Sequence, residues 1–418
     1  MEKNTLKLNK TRAVFCKIRE NGILASIKKI YWIISSKLGN FFSVIVPCPL
    51  RLKFYSNLLR LIFAPGFKRK RILGIWDFKA LPWSIGDPLV FIETLNILKI
   101  ENNAEEIDIC VVYDRNYPIG NRGRSIFNKD LANIGSENAQ DYLLEILPLF
   151  STCPFLGSIY QFNSHNEFYR FLKMNIERYD IFPPLAMHLG EAYNFLCCPP
   201  ILNPMQDFFN KHGYIPYLRI GERDKAWAQW FFLKHLPKEA VAVTLSLKQT
   251  SHCIGNNAEP ATWLVFIDQC RLDFPEVVFV IVGLREEVFA GLRDRPNVII
   301  AKDSGTSAIE DLALIRASLL YLGISSGVNI IAMFSDLPYL IFQMDVSNYL
   351  RHGLKVGDKF SFVLDTQKIF SAEVKVTPEL LFSEFKQIYS KLDKIRWCSI
   401  TSEKACKKHS HPTTKVLD

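Results

Sequence analysis

From Ile72 onward the chain alternates short apolar runs with longer amphipathic stretches, and this alternation limits the possible folds more than any other feature. Strands are expected at residues 72–78, 107–113 and 158–162, with helices at 88–99, 139–147 and 167–176. An extended piece at 214–220 and a helix at 222–236 lead into a second series. Its strands fall at 241–247, 277–282, 298–300, 319–322 and 339–342, and its helices at 261–272, 286–293, 308–315 and 328–334. A strand that returns to its own sheet through a helix pairs in parallel, so each series implies a parallel sheet covered on both faces. The expectation is an α/β protein with one such domain at 72–220 and another at 221–396, facing each other across a cleft. Ligands of such sheets lie beyond the carboxyl ends of the strands, so the loops that follow the strands should line that cleft.

The ends of the chain differ from this body. Residues 1–71 hold sixteen Lys and Arg against Glu2 and Glu20, a net +14 that exceeds the whole-chain +9 and leaves the body net negative. Ile23, Leu24, Ile27, Ile30, Tyr31 and Ile34 recur at helical spacing, with Lys28, Lys29 and Lys37 largely off that face. These lysines interrupt a run that would need about twenty apolar residues to span a bilayer, so no transmembrane helix is expected. No apolar segment with a cleavage site follows the polar start, which argues against a secretory signal. The region 23–71, ending in Lys68-Arg69-Lys70-Arg71, suits either an anionic membrane surface or packing on the protein's own core. Nothing downstream resembles a nucleic-acid module. The ten cysteines show no C-x-x-C spacing and read as reduced thiols of a cytoplasmic protein. The tail at 397–418 is polar; its Cys406, His409 and His411 lack a second half-site and are not read as metal ligands.

Three loops carry candidate chemistry. Ser84-Ile85-Gly86-Asp87 precedes the first helix, where a carboxylate sits at the positive end of the dipole and can accept a proton from a hydroxyl. Ser246 and Lys248, with Thr250 and Ser251, follow the first strand of the second series and suit a phosphate. Ser325-Ser326-Gly327 opens an apolar helix that ends at Asp336-Leu337-Pro338, a small-residue turn with free backbone N–H groups and a serine positioned to cap. No Gly-rich dinucleotide fingerprint or P-loop occurs, since Gly283 is followed by Leu284-Arg285-Glu286-Glu287; this argues against hydride transfer and nucleoside-triphosphate hydrolysis.

Together these pieces resemble the lipopolysaccharide heptosyltransferases. The shared features are a strand, a Ser-x-Gly-Asp loop and a helix at the start; Val280-Ile281-Val282-Gly283 with Arg285-Glu286-Glu287; and Ile324-Ser325-Ser326-Gly327 before a helix closing at Leu337-Pro338. The resemblance covers about residues 72–345 and implies two Rossmann-like domains of the GT-B type. It further implies a glycosyltransferase taking a nucleotide-sugar donor and a saccharide or glycolipid acceptor, inverting, and needing neither metal nor cofactor. Carried over, Asp87 is the general base, Ser246 and Lys248 meet the donor phosphates, Glu286 or Glu287 the ribose, and Ser325, Ser326 and Gly327 the diphosphate. The chain departs from the family's Asp-Thr-Gly and later His, having Ser325-Ser326-Gly327 and Ile330 there. That departure leaves the donor sugar open. A nucleotide-sugar epimerase of the same form and a non-catalytic carbohydrate-binding protein are the competing readings.

Overall fold

The computed structural model describes residues 71–78, 85–113, 139–183, 202–249, 257–346, 349 and 354–392. The expectations for residues 1–70 of the basic segment, Ser84, Thr250, Ser251 and the polar tail lie outside these residues; Arg71 opens the first strand. Chain contacts separate a unit of Met1–Lys68 with Ile181–Tyr193 from one of Arg69–Asp180 with Asn194–Asp418. The second unit holds both sheets, apart from the last residues of one edge strand.

The first sheet contains β1 (Arg71–Asp77), β2 (Glu106–Val112), β3 (Leu156–Phe162) and β4 (Tyr179–Phe182), in the order β3-β2-β1-β4. The pairs β1–β2 and β2–β3 are parallel. Its helices are α1 (Gly86–Glu101), α2 (Ala139–Ile146) and α3 (His165–Asn175), the last capped by Ser164, which accepts the Glu167 N–H at 3.2 Å. Then come α4 (Leu202–His212), the extended 214–220 and α5 (Glu222–His235).

The second sheet contains β5 (Val241–Ser246), β6 (Val277–Val282), β7 (Val298–Ile300), β8 (Leu320–Ile324), β9 (Tyr339–Met344) and β10 (Gln367–Ser371). Its order is β10-β9-β8-β5-β6-β7 and all five neighbouring pairs are parallel. Counted from β5, this is the 3-2-1-4-5-6 order of a doubly wound fold, whose direction of winding reverses between β5 and β8. The intervening helices are α6 (Pro260–Asp273), α7 (Ala308–Ala317), α8 (Ile330–Met333) and α9 (Pro378–Tyr389). β5 and β6 are buried at every position, as expected of strands covered on both faces, which is why they read as unbroken apolar runs.

Helix α1 is buried nearly all round. Gly74 lets it lie close on β1, because a Cβ there would come within 2.4 Å of Leu95 and 3.0 Å of Phe91. Trp76 packs edge-on against Phe91 and Phe150 beneath it. The extended 214–220 connects the sheets and bonds to both sides: the Leu218 N–H donates to the Phe334 carbonyl at 3.0 Å and the Arg219 N–H to the Thr152 carbonyl at 2.9 Å.

Two expected helices are corrected. Residues 286–293 form only a 3-10 turn, Arg285–Glu287, after which Gly291 adopts φ +88, a left-handed conformation no helix can continue through. Residues 328–334 form a 3-10 turn, Gly327–Asn329, and then the single α turn of α8. The sequence reading also missed β4, α4, β10 and α9.

Candidate functional site

The two winding reversals lie between β1 and β4 in the first sheet and between β5 and β8 in the second. The loops leaving β1 and β8 meet. A Cβ on Gly327 would fall 2.8 Å from the Gly86 nitrogen, and one on Gly86 would fall 3.0 Å from the Gly327 Cα. Main chain touches main chain there: a side chain on Gly327 would clash with backbone, and one on Gly86 would press tightly against it. Asp87 is the next residue, half-buried in the first turn of the sixteen-residue α1, where the helix dipole is positive.

On the second sheet, Ser246 at the end of β5 and Ser326 after β8 approach each other across the reversal, their hydroxyl oxygens 3.3 Å apart. The fully buried Tyr321 hydroxyl faces the same two groups, yet makes no hydrogen bond of ordinary geometry. Its burial raises the phenol well above its usual range. The bonded Ser246–Ser326 pair uses one hydroxyl proton between its members and keeps the other, which can be donated to an anionic oxygen. Ser325 contributes its N–H to the sheet instead, donating to the Phe342 carbonyl at 2.8 Å. Ser326 stands at the cap position without a side-chain capping bond, its hydroxyl turned toward Ser246. The short 3-10 and α turns behind it supply little of the dipole expected from a full helix, so what this turn could offer an anion is hydroxyls and leading N–H groups.

Lys248 and Glu287 close the other side. Gly283, at φ +119, turns the chain out of β6 and brings Glu287 back, its carboxylate accepting the Leu284 N–H at 3.1 Å. Burial raises the Glu287 carboxyl, offset by the bond from Leu284 and by the charge of Lys248. Glu286 is exposed on the same turn. Beneath the turn, buried Asp311 accepts the Gly283 N–H at 3.2 Å and the Thr306 hydroxyl at 2.6 Å, and pairs with Lys302 at 3.0 Å. Burial pushes its carboxyl up to about 6 despite Lys302. The structure therefore brings Ser246, Lys248, Glu287, Ser325, Ser326 and Gly327 to one end of the second sheet, with Asp87 alongside across the glycine contact.

No family model and no curated protein sequence matches the chain. Solved structures align with it along most of their length. A glycosyl transferase family 9 protein from Veillonella parvula aligns at 10% identity and TM-score 0.49, over 77% of this chain and 97% of its own. The E. coli ADP-heptose lipopolysaccharide heptosyltransferase II aligns at 13% and 0.46, over 77% and 99%. A putative UDP-N-acetylglucosamine 2-epimerase from Listeria monocytogenes aligns at 11% and 0.34, over 80% and 91%. Identities and scores at this level assign no chemistry, which must come from the side chains.

Several of those side chains were not foreseen. Tyr321 reads in sequence as one more apolar strand residue, and Asp311 as a polar position on a helix. Asp77, the last residue of β1, bonds buried His165 at the start of α3, with Oδ2 and Nε2 2.9 Å apart. This pair also lies at the carboxyl edge of the first sheet, and no spacing in the sequence joins the two residues. Among the described residues no group of three or more metal-ligating side chains occurs, and no helix is long and apolar enough to cross a membrane.

Proposed function

We propose that the chain is a glycosyltransferase that moves a sugar from a nucleotide-sugar donor to a hydroxyl of a saccharide or glycolipid acceptor. The observation that carries this reading is the meeting of the two winding reversals at Gly86 and Gly327. It sets a carboxylate on one side of a junction and a hydroxyl, N–H and lysine cluster on the other. Asp87 takes the proton of the acceptor hydroxyl as that oxygen attacks the anomeric carbon. The bond to the nucleotide diphosphate breaks on the opposite face, which inverts the centre. The departing charge is met by Lys248, by the hydroxyls of Ser246 and Ser326, and by the leading N–H groups at Gly327 and Val328, with no metal given a part. Glu287, which feels the charge of Lys248, is the nearer candidate for a ribose hydroxyl, and the exposed Glu286 stands outside it. The basic segment 23–71 holds the enzyme to an anionic membrane face where a glycolipid acceptor would reside.

The test is release of nucleotide diphosphate from a panel of nucleotide sugars in the presence of an acceptor extract. Asp87→Asn should lower the rate by roughly 10²- to 10⁴-fold, the range typical of a removed general base, with the thermal midpoint unchanged. Release that survives Asp87→Asn removes the assigned base. The Asp77–His165 pair favours a second reading, an epimerase, because it supplies an acid/base group which that chemistry needs. Interconversion of the free nucleotide sugar without acceptor, lost in His165→Gln, would select it.

A further inference from the structure

A cavity lies at the ends of the sheets opposite the candidate site. It has a volume of about 600 Å³ and is lined by the residues that precede strands: Ile100 before β2, Phe155 before β3, Ala317 before β8 and Asp336 before β9. The extended 214–220 forms its wall. Along that piece Leu218 and Ile220 turn into the core while Tyr217 and Arg219 are exposed, the two-residue alternation of an extended chain. Tyr217 and Arg219 both line the cavity, joined by Lys225 of α5 and Arg316 of α7.

The lining has a definite chemistry. Three cations face one carboxylate, Asp336, which lies 3.1 Å from Arg316; Lys225 is shared with Glu222 at 2.6 Å. The Tyr217 phenol is held above its usual range by burial first and by Asp336 second. The rings of Tyr214, Tyr217 and Phe155 and the faces of Pro154 and Pro216 give an apolar body to the same space. An aromatic wall next to a cationic edge fits a ligand with a ring at one end and an anion at the other. The volume falls within the usual 300–1,000 Å³ of small-molecule sites.

We infer that this cavity is a second ligand site, taking a small ring-bearing phosphate, separate from the donor site at the carboxyl ends. Its walls belong to both sheets and to the segment that bonds to both, so an occupant contacts three parts of the chain at once. Arg219 and Lys225 hold the phosphate with Arg316, and Tyr217 stacks on the ring. Binding there fixes the 214–220 segment in place.

The experiment is a calorimetric titration of the full chain with phenyl phosphate, with inorganic phosphate and phenol as half-ligands. Phenyl phosphate should bind saturably at one site per chain and more tightly than either half-ligand. Arg219→Ala should weaken it about tenfold, the loss expected for a charge-assisted hydrogen bond. Tyr217→Ala should weaken it roughly two- to tenfold. The Arg219 side chain is exposed, so the thermal midpoint of that variant should not move. Lys248→Ala, at the other ends of the strands, should leave the affinity unchanged. Amide exchange over residues 214–220 should slow on saturation, a check that needs no variant. Absence of saturable binding, binding indifferent to Arg219→Ala and Tyr217→Ala, binding lost in Lys248→Ala, or unchanged exchange at saturation overturns the proposal.

Discussion

Gly327 and Gly86 are separated by most of the chain, yet each occupies the space the other's side chain would need. The close contact on either side is with backbone, which has no rotamer to escape into. Gly327→Ala should therefore destabilise the protein by about 1–3 kcal/mol, the usual cost of forcing an extra carbon into a packed contact. It should also displace Asp87 from the hydroxyl cluster, so catalytic rate should fall further than the loss of folded protein accounts for. Urea midpoints set beside rates per folded molecule check this; a wild-type rate with only a stability change would separate the contact from catalysis. The serines and glycine of this turn were legible in the sequence as a small-residue loop. The reason for the glycine was not, because a contact between distant residues leaves no local period.

The limits of local reading are clearest in α1. The sequence predicts a helix over 88–99, the interior of the sixteen-residue α1, whose low amphipathicity follows from being enclosed on nearly every side, which brings Glu93 and Asn96 into the interior with the apolar residues. Asn96 donates to Glu93 Oε2 at 3.2 Å and accepts from the Cys153 thiol at 3.4 Å, while Oε1 has no partner in a fully buried position. Burial raises the Glu93 carboxyl well above its ordinary 4.5, only partly countered by Asn96. A carboxyl raised on folding contributes its full stability below the unfolded value and loses it as pH climbs through the folded one. Glu93→Gln carries no such loss, so its stability relative to wild type should rise as pH climbs above 4.5 and level off once Glu93 is ionised in the folded protein. Thermal midpoints of the two proteins across the acid-to-neutral range read this directly, and a gap that stays constant with pH would show that Glu93 does not titrate as its burial implies. Elsewhere, β5 and β6 announce themselves as unbroken apolar runs. The turn at 286–293 was misread because its apolar spacing imitates a helix that Gly291 interrupts.

For the whole molecule, alternation was enough to give two parallel sheets, and the order of the strands then gave their winding reversals. What alternation cannot give is which ends come together, since that depends on Gly86, Gly327 and the two backbone bonds of the 214–220 segment. Charge is the other property of this scale. The sixteen cations of residues 1–71 belong to a chain whose remaining residues are net negative, so attraction to an anionic surface must come from that segment and repulsion from the rest. Two consequences can be separated. The full chain should float with phosphatidylserine vesicles and not with phosphatidylcholine vesicles, and binding should weaken as salt shortens the Debye length from about 30 Å at 0.01 M to about 8 Å at 0.15 M. Reversing Lys68, Arg69 and Lys70 to Glu in the full chain removes three cations and adds three anions beside the body, which should reduce flotation at low salt by well over tenfold at about 1 kcal/mol per basic residue. Flotation that is equal on both vesicle types, or untouched by the reversal, would assign any membrane contact to apolar burial rather than charge.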